Sequence, residues 1–136
     1  MRLPIHDNLT IADLQERFAT AFPRLRIEFY SKAHGDKKGS GKEDLLDKQK
    51  RIGEVRTRGD EGVQEIFSTM TVRDVEKIFH DRYGLNVQVF RREAGCIVQT
   101  TSTDHYTLAQ QSALVADVEK TVFAVDKAQQ DEYDDL

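Results

Sequence analysis

The chain has 136 residues, 32% of them charged, with 20 basic against 24 acidic side chains and a net charge of −4. That length suits one domain with a core of its own, and so balanced a charge argues against a dedicated duplex-DNA binder. One cysteine, Cys96, excludes an internal disulfide framework and any multi-cysteine zinc site. No apolar run approaches the roughly 20 residues needed to cross a bilayer, and Met1–Asp7 lacks the apolar stretch of a signal peptide, so the expected location is cytoplasmic.

Leu3–His6 reads as an edge strand, because Pro4 has no N–H to give a ladder. Thr10 follows as a helix N-cap with Asp13 three residues on, and Leu9 is placed to staple onto Leu14. Ile11, Leu14, Phe18 and Phe22 recur every three or four residues, one apolar stripe. Pro23 ends the helix by forcing Phe22 out of helical geometry. Leu25, Ile27 and Phe29 alternate with Arg26, Glu28 and Tyr30, the pattern of a half-buried strand. Residues 32–50 then lose periodicity and predict a mobile surface loop, with one helical turn near Leu45.

Arg51–Thr57 and Val63–Phe67, around Gly59-Asp60-Glu61-Gly62, predict a β-hairpin. Thr71 caps a second helix with Asp74 at its third position, Val72, Val75, Phe79 and Tyr83 form its stripe, and Gly84 closes it. Leu85, Val87 and Val89 point inward from the next strand, and Cys96–Thr101 forms another. Thr107 and Gln110 open a last helix predicted to run to about Gln129, with Leu108, Val115, Val118, Val122 and Val125 near heptad spacing and polar Gln111 among them. An acidic tail, 130–136, follows.

The chain repeats itself. Thr71–Glu76 restates Thr10–Gln15 sixty-one residues later; one residue is then dropped, and Leu85–Phe90 falls on Leu25–Tyr30. The units, about 3–32 and 63–92, are each β-α-β. The expected fold is therefore α+β: a tandem β-α-β repeat in a ferredoxin-like split sheet, with an extra hairpin and a long C-terminal helix, in one domain over 1–128.

Catalytic signals are thin. Gly35–Glu43 misses the phosphate-loop spacing and puts Glu43 where a Mg²⁺-binding hydroxyl belongs. Cys96, Asp104 and His105 are the best set for nucleophilic chemistry, and each has a plainer explanation: a small strand residue and two polar residues before a helix cap. The four histidines lack ligand spacing. No metal, cofactor or catalytic residue is assigned.

The repeat gives a better lead. With Leu25, Ile27 and Phe29 inward, Tyr30 faces out beside Arg26 and Lys32; its mate Phe90 faces out beside Gln88 and Arg92. Paired outward aromatics mark a contact surface. The first expectation is a non-enzymatic protein-interaction or assembly module, homo-oligomeric or bound to another protein. Its surface would combine that sheet face with Val115, Val118, Val122 and Val125. The alternative is a single-strand nucleic-acid binder stacking bases on Tyr30 and Phe90, with Arg26, Lys32, Arg91 and Arg92 for phosphate. The acidic net charge favours protein over nucleic acid. An enzyme is the third class.

Thr10–Phe29, Gly84–Arg91 and Thr101–Gln111 resemble a set of small Bacteroidetes-type bacterial proteins that open on T-V-x-x-L-Q…F-P-x-L-K-I-E-F and close on T-D-x-x-T-L-x-x-Q-N. The chain departs from them at Tyr106, where tryptophan is usual, and at Ser112. The resemblance implies one domain through Gln111 and no mechanism.

Overall fold

The structure, a computed structural model, describes residues 1–32, 42–93 and 96–115. Its elements run β1 (Arg2–Ile5), α1 (Ile11–Ala21), β2 (Leu25–Tyr30), α2 (Ile52–Val55), β3 (Gly62–Glu65), α3 (Val72–Tyr83), β4 (Asn86–Glu93) and β5 (Cys96–Gln99). A further helix, α4, covers 108–115. The class is α+β.

The helix ends are where local chemistry puts them. Thr10 Oγ1 accepts from the Asp13 N–H at 3.2 Å, and the Asp13 carboxylate accepts from the Thr10 N–H at 2.9 Å. Thr71 and Asp74 repeat this reciprocal cap, as do Thr107 and Gln110. Each pair satisfies two N–H groups that have no partner within the helix. Gly84 ends α3 at φ +64°, with a Cβ there landing 1.8 Å from Thr57 Oγ1, so glycine is required twice over.

The sheets differ from the single split sheet expected. The strands form two antiparallel sheets, β1–β3 and β2–β4–β5. Repeat-mates pair with each other: Leu3 lies opposite Gln64 in one sheet, and Glu28 opposite Gln88 in the other. A local pseudo-two-fold axis passes through each of these pairs. Ladder pairing therefore joins the two units, rather than the two strands within one unit.

The hairpin expected over 51–67 is also corrected. Ile52–Val55 is helical, and β3 pairs with β1. Arg51 has no acceptor oxygen to complete a cap, but its N–H donates to the Glu54 carboxylate at 2.9 Å. With only Ile52 fully buried, the segment has no alternating stripe strong enough to hold a strand.

This short helix extends the repeat. Ile11 N–H donates to Lys50 O at 2.9 Å and Ile52 N–H to Leu9 O at 2.8 Å. In the second half, Val72 N–H donates to Tyr106 O at 3.0 Å and Leu108 N–H to Met70 O at 2.9 Å. Thr10 bridges Arg51 as Thr71 bridges Thr107. The structural unit is therefore β-α-β followed by a helix, with α2 the counterpart of α4.

One core joins both halves. Leu3, Ile5, Leu14, Phe18, Leu25, Ile27 and Phe29 from the first meet Ile66, Val75, Phe79, Leu85, Val87, Val89 and Leu108 from the second. Phe29 meets Phe79 edge-on, ring centres 6.3 Å apart, across the boundary. Fully burying each such side chain is worth about 1.5–3 kcal/mol. No helix among the described residues is long and apolar enough to cross a membrane.

Candidate functional site

The outer face of the β2–β4–β5 sheet follows from the ladder register. Leu25, Ile27 and Phe29 share the core face with Val89 and Val87. Arg26, Glu28 and Tyr30 therefore share the opposite face with Phe90, Gln88 and Asn86, and β5 adds Ile97 beside Arg92 and Gln99 beside Phe90. Sequence alternation placed Tyr30 and Phe90 on this face, and the register agrees.

Their exposure does not agree. Tyr30 is 6% exposed and Phe90 7%, so neither offers an open ring face. Burial holds the Tyr30 hydroxyl above its ordinary pKa, and the nearby Glu28 carboxylate adds to the effect. Gln88 is fully buried, while Arg92 and Lys32 are exposed. Arg26 is half-buried and turned to Glu28, Nη2 to Oε1 at 2.6 Å, where Glu28 also accepts from Gln15 Nε2 at 2.9 Å. The aromatic pair expected as an exposed platform is thus covered by the chain's own atoms. Alternation reports which face a side chain takes; it is silent on what else packs there. The accessible part of this face lies toward β5, where Ile97 is 45% exposed.

Other proposed residues are dispersed. Asp104 is buried with its carboxylate on Arg73, Oδ1 to Nη2 at 3.1 Å, whereas His105 is exposed and packs edge-on against Tyr106. The side chain of Cys96 lies outside the described residues. Nothing described makes a nucleophile–base pair of this set. The Gly35–Glu43 stretch lies largely outside the described residues. Among those described, no group of three His, Cys, Asp or Glu side chains could hold a metal ion.

The valine stripe divides. Val115 is fully buried; Val118, Val122 and Val125 lie outside the described residues. Gln111, the polar residue within this stripe, is fully buried. Its Oε1 accepts from Arg91 Nη1 at 2.9 Å, and its Nε2 donates to Thr103 O at 2.7 Å. Arg91 also reaches Thr103 Oγ1 at 3.1 Å and Glu93 Oε1 at 2.6 Å. These bonds tie α4 to β4 and to the 3₁₀ turn Thr101–Thr103, and they satisfy a polar group that would otherwise be costly to bury. The sequence carried one sign of this: a polar residue inside an apolar stripe, twenty residues from an arginine.

Sequence reading missed two further features. Asp7 holds Arg56 through both carboxylate oxygens, each at 2.9 Å, and Arg56 also reaches the Arg58 and Gly59 carbonyls at the junction between halves. The Arg56 bond keeps the Asp7 carboxyl below its usual pKa. Val63 and Phe67, 43% and 52% exposed, lie along and just beyond β3.

Comparison with protein-family models, with curated proteins and with solved structures finds no match to this chain. The residues themselves therefore carry the functional reading.

Proposed function

We propose that the chain is a non-enzymatic protein-interaction or assembly module. Its contact surface is the β5 side of the outer sheet face together with the segment C-terminal to α4, and a second copy is the first partner to test. The observation that carries this reading is Ile97, a large apolar side chain left 45% exposed on the terminal strand of the β2–β4–β5 sheet. Cys96-Ile97-Val98-Gln99 has no charge and no proline, the features with which sheet edges usually resist pairing. The β1–β3 ribbon differs, with Pro4, Arg2 and Glu65 along it.

Equivalent residues paired across two local axes support reading the chain as a duplicated β-α-β-α unit. That architecture supplies a stable frame for a contact surface. A nucleic-acid platform on Tyr30 and Phe90 draws no support from this geometry, because stacking needs an open ring face.

Light scattering after size exclusion tests the reading directly. The full chain is expected to exceed the single-chain mass as concentration rises, and Ile97→Lys is expected to return it to that mass. A wild-type chain that stays single at every concentration, and captures no partner through this edge, removes the proposal.

A further inference from the structure

Each sheet has two outer edges, and three of these four are blunted by the chain itself. On β1, Pro4 has no N–H to offer; on β3, the Glu65 carbonyl accepts from Gln64 Nε2 at 2.9 Å. Along β2 the segment 44–46 takes the edge. Ser31 N–H donates to Asp44 O at 2.8 Å and Leu46 N–H to Phe29 O at 2.9 Å, which sets Leu45 opposite Tyr30. Gln15 Nε2 fills Ile27 O at 2.9 Å. The β5 edge is different. Arg92 donates its N–H to Arg24 O at 2.9 Å, on the β2 side, so Arg92 and its ladder partner Ile97 form a non-hydrogen-bonded pair. Ile97 therefore turns its N–H and C=O away from β4, and Gln99, two residues on, does the same. Among the described residues these groups have no partner, and both side chains are exposed.

From these observations we infer that β5 pairs antiparallel with β5 of a second copy, about a two-fold axis at Val98, joining two three-stranded sheets into one. The inference rests on the interaction reading above and names its mode, a backbone ladder rather than contact between apolar side chains. The outward groups fix the axis. Placing Ile97 opposite Gln99 of the second copy satisfies the N–H and C=O of both residues and sets Val98 opposite itself. A register centred on Ile97 or on Gln99 would set the other residue opposite position 95 or 101, beyond the strand at either end. A second copy also fits in charge and length. Cys96–Gln99 carries no charge. The outer-face row would run Arg92 and Ile97, then Gln99 and Phe90 of the second copy, so no like charges meet across the axis. The strand ends at Gln99 and the chain turns into the 3₁₀ segment Thr101–Thr103, so a four-residue edge meets one of its own length. Repeat-mates within the chain already pair in this way, antiparallel about local two-fold axes. Pairing consumes the open edge, so assembly closes at two chains.

Amide hydrogen exchange resolved to single residues tests the inference on the full wild-type chain, with light scattering giving the mass at each concentration. The mass is expected to double and stop there. At the doubled mass the Ile97 and Gln99 amides are expected to exchange several-fold more slowly than in the single chain. Val98, whose N–H faces β4, should stay protected at both. In a Cys96→Ser background, oxidation should link Val98→Cys chains faster than Gln99→Cys chains. The pair on the axis brings its Cα atoms to about 4.5 Å, inside the roughly 4.4–6.8 Å span of a disulfide. A doubled mass with Ile97 and Gln99 unprotected overturns the ladder and leaves the interaction reading standing on side-chain contact. Faster linking through Gln99→Cys overturns the axis at Val98. Growth beyond two chains, or a single-chain mass at every concentration, also overturns the inference. The Ile97→Lys mass is a separate readout: a doubled variant with amides still protected at 97 and 99 would remove the apolar contact of Ile97 from the interaction reading and leave the ladder intact.

Discussion

The two halves of this chain solve the same folding problem with different third helices. Through β-α-β they are near copies: the same threonine–aspartate cap, the same stripe, and strands that pair mate to mate. Beyond β2 and β4 they part. In the first half a 3₁₀ turn, Lys42–Asp44, leads to Leu45 bridging Tyr30, and α2 is four residues long. In the second, a full strand, β5, lines β4, and α4 continues to 115 with a buried polar network. Backbone hydrogen bonding and core packing constrain the shared parts, so the shared parts stay alike. The second half has the additional edge and the longer helix, and the proposed contact surface lies there.

The shared core should fail equally in either half. Phe18 and Phe79 are both fully buried, so Phe18→Ala and Phe79→Ala are each expected to cost about 3–5 kcal/mol. Urea unfolding should show one cooperative transition for both; separate transitions for the two halves would break the picture of a joint core.

The polar network should separate the halves. Val55 occupies in α2 the place of Gln111 in α4. Gln111→Val is therefore expected to cost about 1–3 kcal/mol by leaving Arg91 and Thr103 without their partner. A neutral effect in urea unfolding would mean the network contributes no stability.

At the centre of the larger sheet, Gln88→Glu sets two carboxylates face to face across the local axis. The expected cost is about 2 kcal/mol at neutral pH, from like charge at a buried position. It should shrink as pH falls and one carboxyl gains a proton; a cost independent of pH would point to packing alone.

The caps give a smaller and symmetrical effect. Thr10→Ala and Thr71→Ala should each cost about 1 kcal/mol, and unequal losses in urea unfolding would show that one helix leans more on tertiary contacts.

Acid titration probes the junction and the first cap together. Asp7 is held low mainly by its hydrogen bond from Arg56, and Asp13 mainly by the Thr10 backbone N–H. A folded pKa below the unfolded 3.8 contributes stability that is present above that value. That stability is lost as pH falls toward each folded pKa. Asp7→Asn and Asp13→Asn are expected to flatten the loss of stability across that acid window, measured by urea midpoints at successive pH values.

Much of the fold was written locally. Thr10, Thr71 and Thr107 with their partners three residues on fixed three helix starts, because a cap needs only neighbours in sequence. Pro23 and Gly84 fixed two helix ends for the same reason. Alternation in 25–30 and 85–90 decided which side chains face the core. Tertiary structure decided what local rules cannot see. It paired repeat-mates across two sheets instead of one, because ladder partners are chosen between distant segments. It made Ile52–Val55 helical through backbone bonds to Leu9 and Asp7. It buried Gln111 by bringing Arg91 and Thr103 to it, and it covered Tyr30 and Phe90, whose outward direction alternation predicts but whose exposure depends on packing from elsewhere in the chain.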